Sequence, residues 1–201
     1  PKRTGGGARR RPQRGPSAPL PAEKGTHRHF MAKEIYEQPE VVGHTLTQYL
    51  DMAAGRVRLP FDETLDFASL SRLSVSACGT AYYAGLTAKY WFERLARLPV
   101  EIDVASEFRY REAPLPAGGL ALFVTQSGET ADTLAALREA KRKGQRTLGI
   151  CNVVGSSIAR EVDGGVYLHA GPEIGVASTK AFTAQVTVLT LLAVYLGRMR
   201  H

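Results

Sequence analysis

The stretch Leu120–Thr133 reads LALFVTQSGETADT, and the fold follows from how it is read. Five apolar residues, Leu120 to Val124, run straight into Thr125, Gln126, Ser127, Gly128, Glu129 and Thr130. A helical pattern then begins, with Ala131, Leu134, Ala135 and Leu137 along one side. A buried strand that passes through a hydroxyl-rich turn into a helix sets several donors at a helix N-terminus. Unpaired backbone N–H groups and the helix dipole favour an anion there. One reading is a phosphate pocket. The other is an ordinary cap, in which Ser127 or Thr130 does no more than start the helix.

The same grammar repeats on either side. Arg72–Ala77 reads as a strand that ends in Cys78-Gly79-Thr80, and a helix is expected over Ala81–Leu95. Its aromatics, Tyr82, Tyr83, Tyr90, Trp91 and Phe92, suit a core or a subunit contact. Pro99 ends that helix, Val100–Ala105 alternates as a strand, and Ser106–Arg111 is one capped turn or a loop. After the opening stretch, Lys143-Gly144 marks a helix end. Gln145–Asn152 and Gly164–His169 read as strands, with a short helix over Ser156–Glu161 between them. Gly171–Ala177 is a loop, and Ser178 is expected to cap a long helix to about Gly197. Upstream, Met31–Met52 is helical with a break at Pro39, and Asp62–Leu70 holds a short helical piece. Strands that alternate with helices imply a parallel sheet covered on both faces, because parallel neighbours need crossovers. Ligands of such sheets bind outside the carboxyl ends of the strands.

Composition narrows the function. The 201 residues carry a net charge of +7, yet residues 1–28 hold eight Lys or Arg against one acid, Glu23, and the other 173 residues balance. The high pI belongs to a tail. Residues 1–21 are rich in Gly, Pro and Arg with almost no apolar side chains, so residues 1–24 are expected to be a disordered basic tail and 25–201 the domain. The arginines lack interleaved aromatics, which argues against nucleic acid; a transit peptide fits poorly with so many prolines and glycines, and a linker remains the simplest reading. Two cysteines, Cys78 and Cys151, and no secretion signal point to a reduced, cytoplasmic protein. The apolar stretch Phe182–Leu196 is broken by Thr183, Gln185, Thr187 and Thr190 and is short of the ~20 residues of a bilayer span, so no membrane association is expected.

Three loops share one design: Cys78-Gly79-Thr80, Thr125 to Thr130, and Val176-Ala177-Ser178-Thr179-Lys180. Hydroxyls, backbone N–H groups and the Gln126 amide facing one crevice suit a sugar phosphate. Lys180 would hold phosphate or pair with a carboxylate, since an unpaired lysine at a helix start opposes the dipole. Glu129 is a candidate base or a dipole partner. Cys78 sits where a helix N-terminus can activate a thiol, but no catalytic partner is evident and a structural thiol is the simpler reading. No dinucleotide fingerprint or Walker A pattern is present, and His27 and His29 lack the partners of a metal site. No cofactor, metal or catalytic residue is expected.

Several longer motifs resemble glucosamine-6-phosphate synthase, that is, glutamine–fructose-6-phosphate aminotransferase (isomerizing). They are CGT before a helix, ASEFRYR (Ala105–Arg111), SGETADTL (Ser127–Leu134), ICNVVGSS (Ile150–Ser157) and EIGVASTKAFT (Glu173–Thr183). The resemblance is to the first of two sugar isomerase (SIS) subdomains, and AEKGTHRHFMAKEIYEQP (Ala22–Pro39) is similar to the segment before it. It implies a three-layer α/β/α sandwich with a five-stranded parallel sheet. It also implies that Thr80, Gln126, Ser127, Thr130, Ser178 and the backbone around Val176 contact fructose 6-phosphate or glucosamine 6-phosphate, in a homodimer. Gly79, Thr125, Ala177 and Lys180 complete the expected binding set. Thr125 keeps the hydroxyl of a common Ser, whereas Ala81 lacks it. The family's glutaminase domain and second SIS subdomain, which carry the nucleophilic Cys and the acid–base groups, have no counterpart in 201 residues. The chain is therefore expected to be a fragment that binds sugar phosphate without turning it over. The alternative is a non-catalytic sugar-phosphate sensor.

Overall fold

The computed structural model describes residues 23–61 and 66–201. Helices α1 (Phe30–Tyr36) and α2 (Gln38–Tyr49) come first, divided where Pro39 sits in the first turn of α2. A proline there costs nothing, because the N–H it lacks has no intrahelical acceptor. A two-residue antiparallel ribbon follows, β1 (Leu50–Asp51) with β2 (Arg56–Val57), too short to leave a pattern in the sequence. The rest alternates: β3 (Leu73–Ala77), α3 (Gly79–Leu95), β4 (Val100–Val104), α4 (Ala105–Phe108), β5 (Leu120–Val124), α5 (Ala131–Arg142), β6 (Arg146–Cys151), α6 (Ser157–Glu161), β7 (Gly164–Tyr167) and α7 (Lys180–Arg200).

Strands β3 to β7 form one all-parallel sheet in the order β4-β3-β5-β6-β7. Helices cover both faces, so the α/β/α sandwich with five parallel strands is the observed architecture. β3 and β5 are buried at all five positions; β5 accordingly reads as an apolar run, whereas β3 alternates apolar residues with the small Ser74 and Ser76. Alternate side chains still part company. Leu73, Val75, Leu120, Leu122, Val124 and Ile150 pack towards α2, α3 and α7, whereas Ala121, Phe123 and Cys151 pack towards α4, α5 and α6.

Helix α7 is long and apolar enough to cross a bilayer, but its apolar residues are committed to the core. Val188, Leu189, Leu192 and Leu196 are fully buried, each contributing at most about 1.5–3 kcal/mol of transfer free energy. α7 and α3 cross closely at Gly197, where an added Cβ would lie 2.8 Å from the Leu95 carbonyl oxygen. The edge strand β4 carries Glu101 and Asp103, both held by Arg111, with Arg72 also on Glu101. Paired charges on an edge discourage a second sheet from adding to it.

Two local expectations need correction, and one open alternative is resolved. Of the helical piece expected over Asp62–Leu70, residues 62–65 lie outside the described residues. The remainder is a turn in which Asp66 Oδ1 accepts the N–H groups of Ala68 and Ser69; a carboxylate that bonds its own downstream backbone competes with helix. Helix α7 begins at Lys180 with Thr179 at the cap, not Ser178, whose hydroxyl donates to Glu173 instead. Ser106–Arg111 resolves into the single turn of α4, begun by Ala105 with no side-chain cap bond.

Candidate functional site

The chain leaves β3 for β4 on one side and returns to β5 on the other. Loops after β3 and β5 therefore diverge and open a crevice at the carboxyl edge, the switch point where parallel sheets hold ligands. A cavity of about 160 Å³ lies there. Cys78, Thr80 and Ala81 line it from the first loop, Thr125, Gln126, Ser127, Thr130 and Thr133 from the second, and Ser178 and Gln185 from the third loop and α7.

The second loop is shaped by Gly128, at φ +70°. Its N–H donates to Thr125 Oγ1 at 3.2 Å, and the Glu129 N–H donates to Ser127 Oγ at 3.2 Å. Thr125 Oγ1 and Thr130 Oγ1 are 3.4 Å apart. Thr130 is the residue before α5, yet its side chain makes no cap bond, and neither does Cys78 before α3. An ordinary cap would put an oxygen on the N–H of N2 or N3. Here the hydroxyls turn inward on the crevice and the first N–H groups of α5 keep no side-chain partner. Neither Ser127 nor Thr130 therefore serves as an ordinary cap of α5.

The third loop is built differently. Glu173 already occupies the N-terminus of α7: its Oε1 accepts the N–H groups of Thr179 at 2.8 Å and Ala181 at 3.2 Å, and Oε2 accepts the Ser178 hydroxyl at 2.9 Å. That helix end has an internal anion, so it adds Ser178 to the crevice and little else. Glu34, 1% exposed, holds the loop from below by accepting the N–H groups of Ile174 (2.6 Å) and Gly175 (3.0 Å). Lys180 does not line the crevice. Its Nζ lies 2.8 Å from Glu37 Oε2, and Lys33 lies 2.9 Å from the other oxygen. Burial alone would raise the Glu37 carboxyl, but the two ammonium groups hold it below the usual range. Of the two roles open to Lys180, the structure selects the carboxylate pair. Val176 and Ala177 are exposed and their side chains do not line the cavity. Gly79 supplies the φ of +55° that turns the chain into α3.

Glu129 points away from the crevice chemistry. Its Oε1 accepts the Ser157 N–H at 2.7 Å, and that bond lowers its pKa; it caps α6. Cys78 accepts a hydrogen bond from Thr133 Oγ1 at 3.8 Å. Cys151 is buried and its thiol is pushed up to about 11. Among the described residues no three His, Cys, Asp or Glu side chains gather as a metal site. Glu34, Glu173, Thr133 and Gln185 were not singled out as site residues from the sequence. Gln185 had a signal, an amide within an otherwise apolar helix; Glu173 acts locally on the start of α7, five to eight residues on, whereas Glu34 acts across the fold and leaves none.

The crevice lies at the switch point of a doubly wound parallel sheet, and residues 66–195 match the SIS domain family. The chain belongs to that family. It is 64% identical over 178 residues to glutamine–fructose-6-phosphate aminotransferase (isomerizing) of Bradyrhizobium diazoefficiens, covering 89% of this chain and 29% of that protein. The corresponding protein of Agrobacterium fabrum is 61% identical over 178 residues, with the same coverage. The C-terminal domain of glucosamine-fructose-6-phosphate aminotransferase from Francisella tularensis superposes with a TM-score of 0.83 at 43% identity, covering 89% of this chain and 51% of that one. The chain thus spans about 29% of the length of these curated relatives.

Proposed function

We propose that this chain is the substrate-binding SIS subdomain of a glutamine–fructose-6-phosphate aminotransferase, and that its crevice holds the phosphate of fructose 6-phosphate or glucosamine 6-phosphate. The observation that carries the reading is the second loop. Ser127, Thr130 and Thr125 present hydroxyls beside the uncapped N-terminus of α5, with Thr80 across the crevice. Hydroxyl and N–H donors converging on a positive helix end suit a phosphate dianion, and charge-assisted bonds of this kind contribute about 1.5–3 kcal/mol each. The crevice is lined without a carboxylate, imidazole or ammonium group. Its residues therefore bind and orient, and proton transfer falls to groups outside the crevice described here. We also read the exposed Tyr83 and Tyr90 of α3, two turns apart on one face, as a contact for a second copy.

Calorimetric titration of the full chain with each sugar phosphate tests the proposal. Saturable heat is expected, with Ser127→Ala and Thr130→Ala each weakening affinity about ten-fold or more. No heat at millimolar ligand, or unchanged affinity in both variants, refutes it.

A further inference from the structure

Gln185 is 1% exposed and lines the crevice, yet its amide oxygen has no hydrogen-bond partner among the described residues. Its neighbours along α7 behave differently. Thr187 and Thr190 each donate to the carbonyl four residues back, at 2.9 and 2.7 Å. These hydroxyls carry their own solution, as threonines in helices often do. An amide cannot reach back in that way, so Gln185 depends on something outside its helix. Leaving a buried carbonyl oxygen unmade is costly, and an apolar residue of the same length would fit the helix without that cost.

We infer that Gln185 is a ligand-reading residue of the crevice, whose amide bonds a hydroxyl of the sugar while the second loop holds the phosphate. The inference rests on the sugar-phosphate reading above and adds the group that distinguishes a sugar phosphate from phosphate alone. The chemistry selects the partner. A phosphate dianion only accepts hydrogen bonds, so it cannot satisfy a carbonyl oxygen. A sugar hydroxyl both donates and accepts, so it satisfies the amide whichever way Oε1 and Nε2 are turned about the last side-chain torsion. The placement agrees: Gln185 comes from α7, whereas the phosphate-binding hydroxyls come from the loop after β5. A ligand that spans the two must carry its anion at one end and its hydroxyls at the other.

The test compares three probes on the full chain: fructose 6-phosphate, ethyl phosphate and inorganic phosphate. Gln185→Leu and, as a second variant of unbranched shape, Gln185→Met are titrated beside the wild type, with thermal melting of each without ligand. Both variants are expected to bind fructose 6-phosphate about ten-fold more weakly, to bind ethyl phosphate and inorganic phosphate within two-fold of wild type, and to melt no lower. A purely structural amide would instead lower the melting temperature and leave discrimination among the probes intact, which overturns the inference. Equal weakening for all three probes overturns it too, because Gln185 would then be reading the phosphate. If the wild type binds no sugar phosphate, the proposed function fails and the role of Gln185 falls with it. If the wild type binds and both variants bind equally well, only the role of Gln185 fails.

Discussion

Gly128→Ala isolates how the second loop is held. Gly128 sits at φ +70°, and a Cβ built there would collide with both the Oγ and the Cβ of Ser156. The left-handed conformation costs an alanine about 1–2 kcal/mol. The collision cannot be relieved by rotating Ser156 alone, because its Cβ is fixed to the backbone, so overpacking of about 1–3 kcal/mol applies. A less flexible unfolded chain returns about 0.4–1 kcal/mol. The expected net loss is about 2–4 kcal/mol, a fall in Tm on the order of 5–15 °C for a chain of this size. Gly144 gives the control. It has φ +75° but nothing within 4 Å of an added Cβ, so Gly144→Ala meets the conformational cost without the collision and should lose about 1 kcal/mol. Urea unfolding of both variants beside the wild type measures the difference. Gly128 also accepts the Ile158 N–H at 3.0 Å through its carbonyl and donates to Thr125, so Gly128→Ala should weaken sugar-phosphate binding as well, while Gly144→Ala should not. Equal destabilisation by the two substitutions would refute the close packing of this loop on Ser156, and with it the account of why Thr125 and Thr130 are oriented as they are.

Three other perturbations address the surroundings. Glu34→Gln replaces a carboxylate that accepts two backbone N–H groups with an amide that has one acceptor, and should cost about 1.5–3 kcal/mol; hydrogen exchange at Ile174 and Gly175 should rise, and unchanged protection there would count against the anchor. At the Glu37–Lys180 pair, Glu37→Gln should destabilise more than Lys180→Met, because it strands an ammonium group whose side chain is only 4% exposed, whereas Glu37 is left with Lys33. Since the folded carboxyl of Glu37 is held below its unfolded value, its contribution is present above the unfolded pKa and is lost as pH falls through the folded one; an acid unfolding curve that is the same in wild type and Glu37→Gln would contradict this. Burial raises the Cys151 thiol from about 9 to about 11, so above pH 9 the unfolded state loses a proton that the folded state keeps. Stability should fall by up to about 2.7 kcal/mol between pH 9 and 11 relative to Cys151→Ala, and parallel curves for the two proteins would show the thiol to be less enclosed.

The sheet was legible because β5 is a short apolar run, β3 alternates Leu73, Val75 and Ala77 with serines, both are closed by turn residues, and the helices between the strands carry a clear period. That logic fails where a side chain acts over a distance or where an element is very short. The two-residue strands β1 and β2 have no pattern to detect. Asp66 turned a helical composition into a turn by bonding its own backbone. The second loop of the site could be read from Thr125, Gln126, Ser127 and Thr130 alone, because donors and helix start are adjacent in the chain. Lys180 shows the limit: the dipole argument correctly required a partner, but choosing between phosphate and carboxylate needed Glu37, 143 residues away.

The third loop makes a wider point about how this site is divided. Three strand or loop ends that look alike in sequence are not equivalent in space. The ends before α3 and α5 leave their side-chain caps unmade and face the crevice, whereas the end before α7 is filled by Glu173. A second anion at α7 would meet that carboxylate, so on the proposed reading the phosphate belongs on the α3–α5 side. What this side can offer instead is neutral: the Ser178 hydroxyl, turned by Glu173, and the Gln185 amide seven residues further along the chain. Two further acids that hold this region come from outside residues 66–195, Glu34 from α1 and Glu37 from the junction with α2. Those two helices therefore belong to the site's machinery, although neither contributes a side chain to the cavity itself. Removing residues 23–49 should leave the sheet's strands intact in sequence but release the wall that carries Ser178. Sugar-phosphate affinity should then drop more than affinity for inorganic phosphate, measured on the same titrations. A truncated chain that folds and still prefers fructose 6-phosphate to inorganic phosphate as strongly as the full chain would refute that assignment.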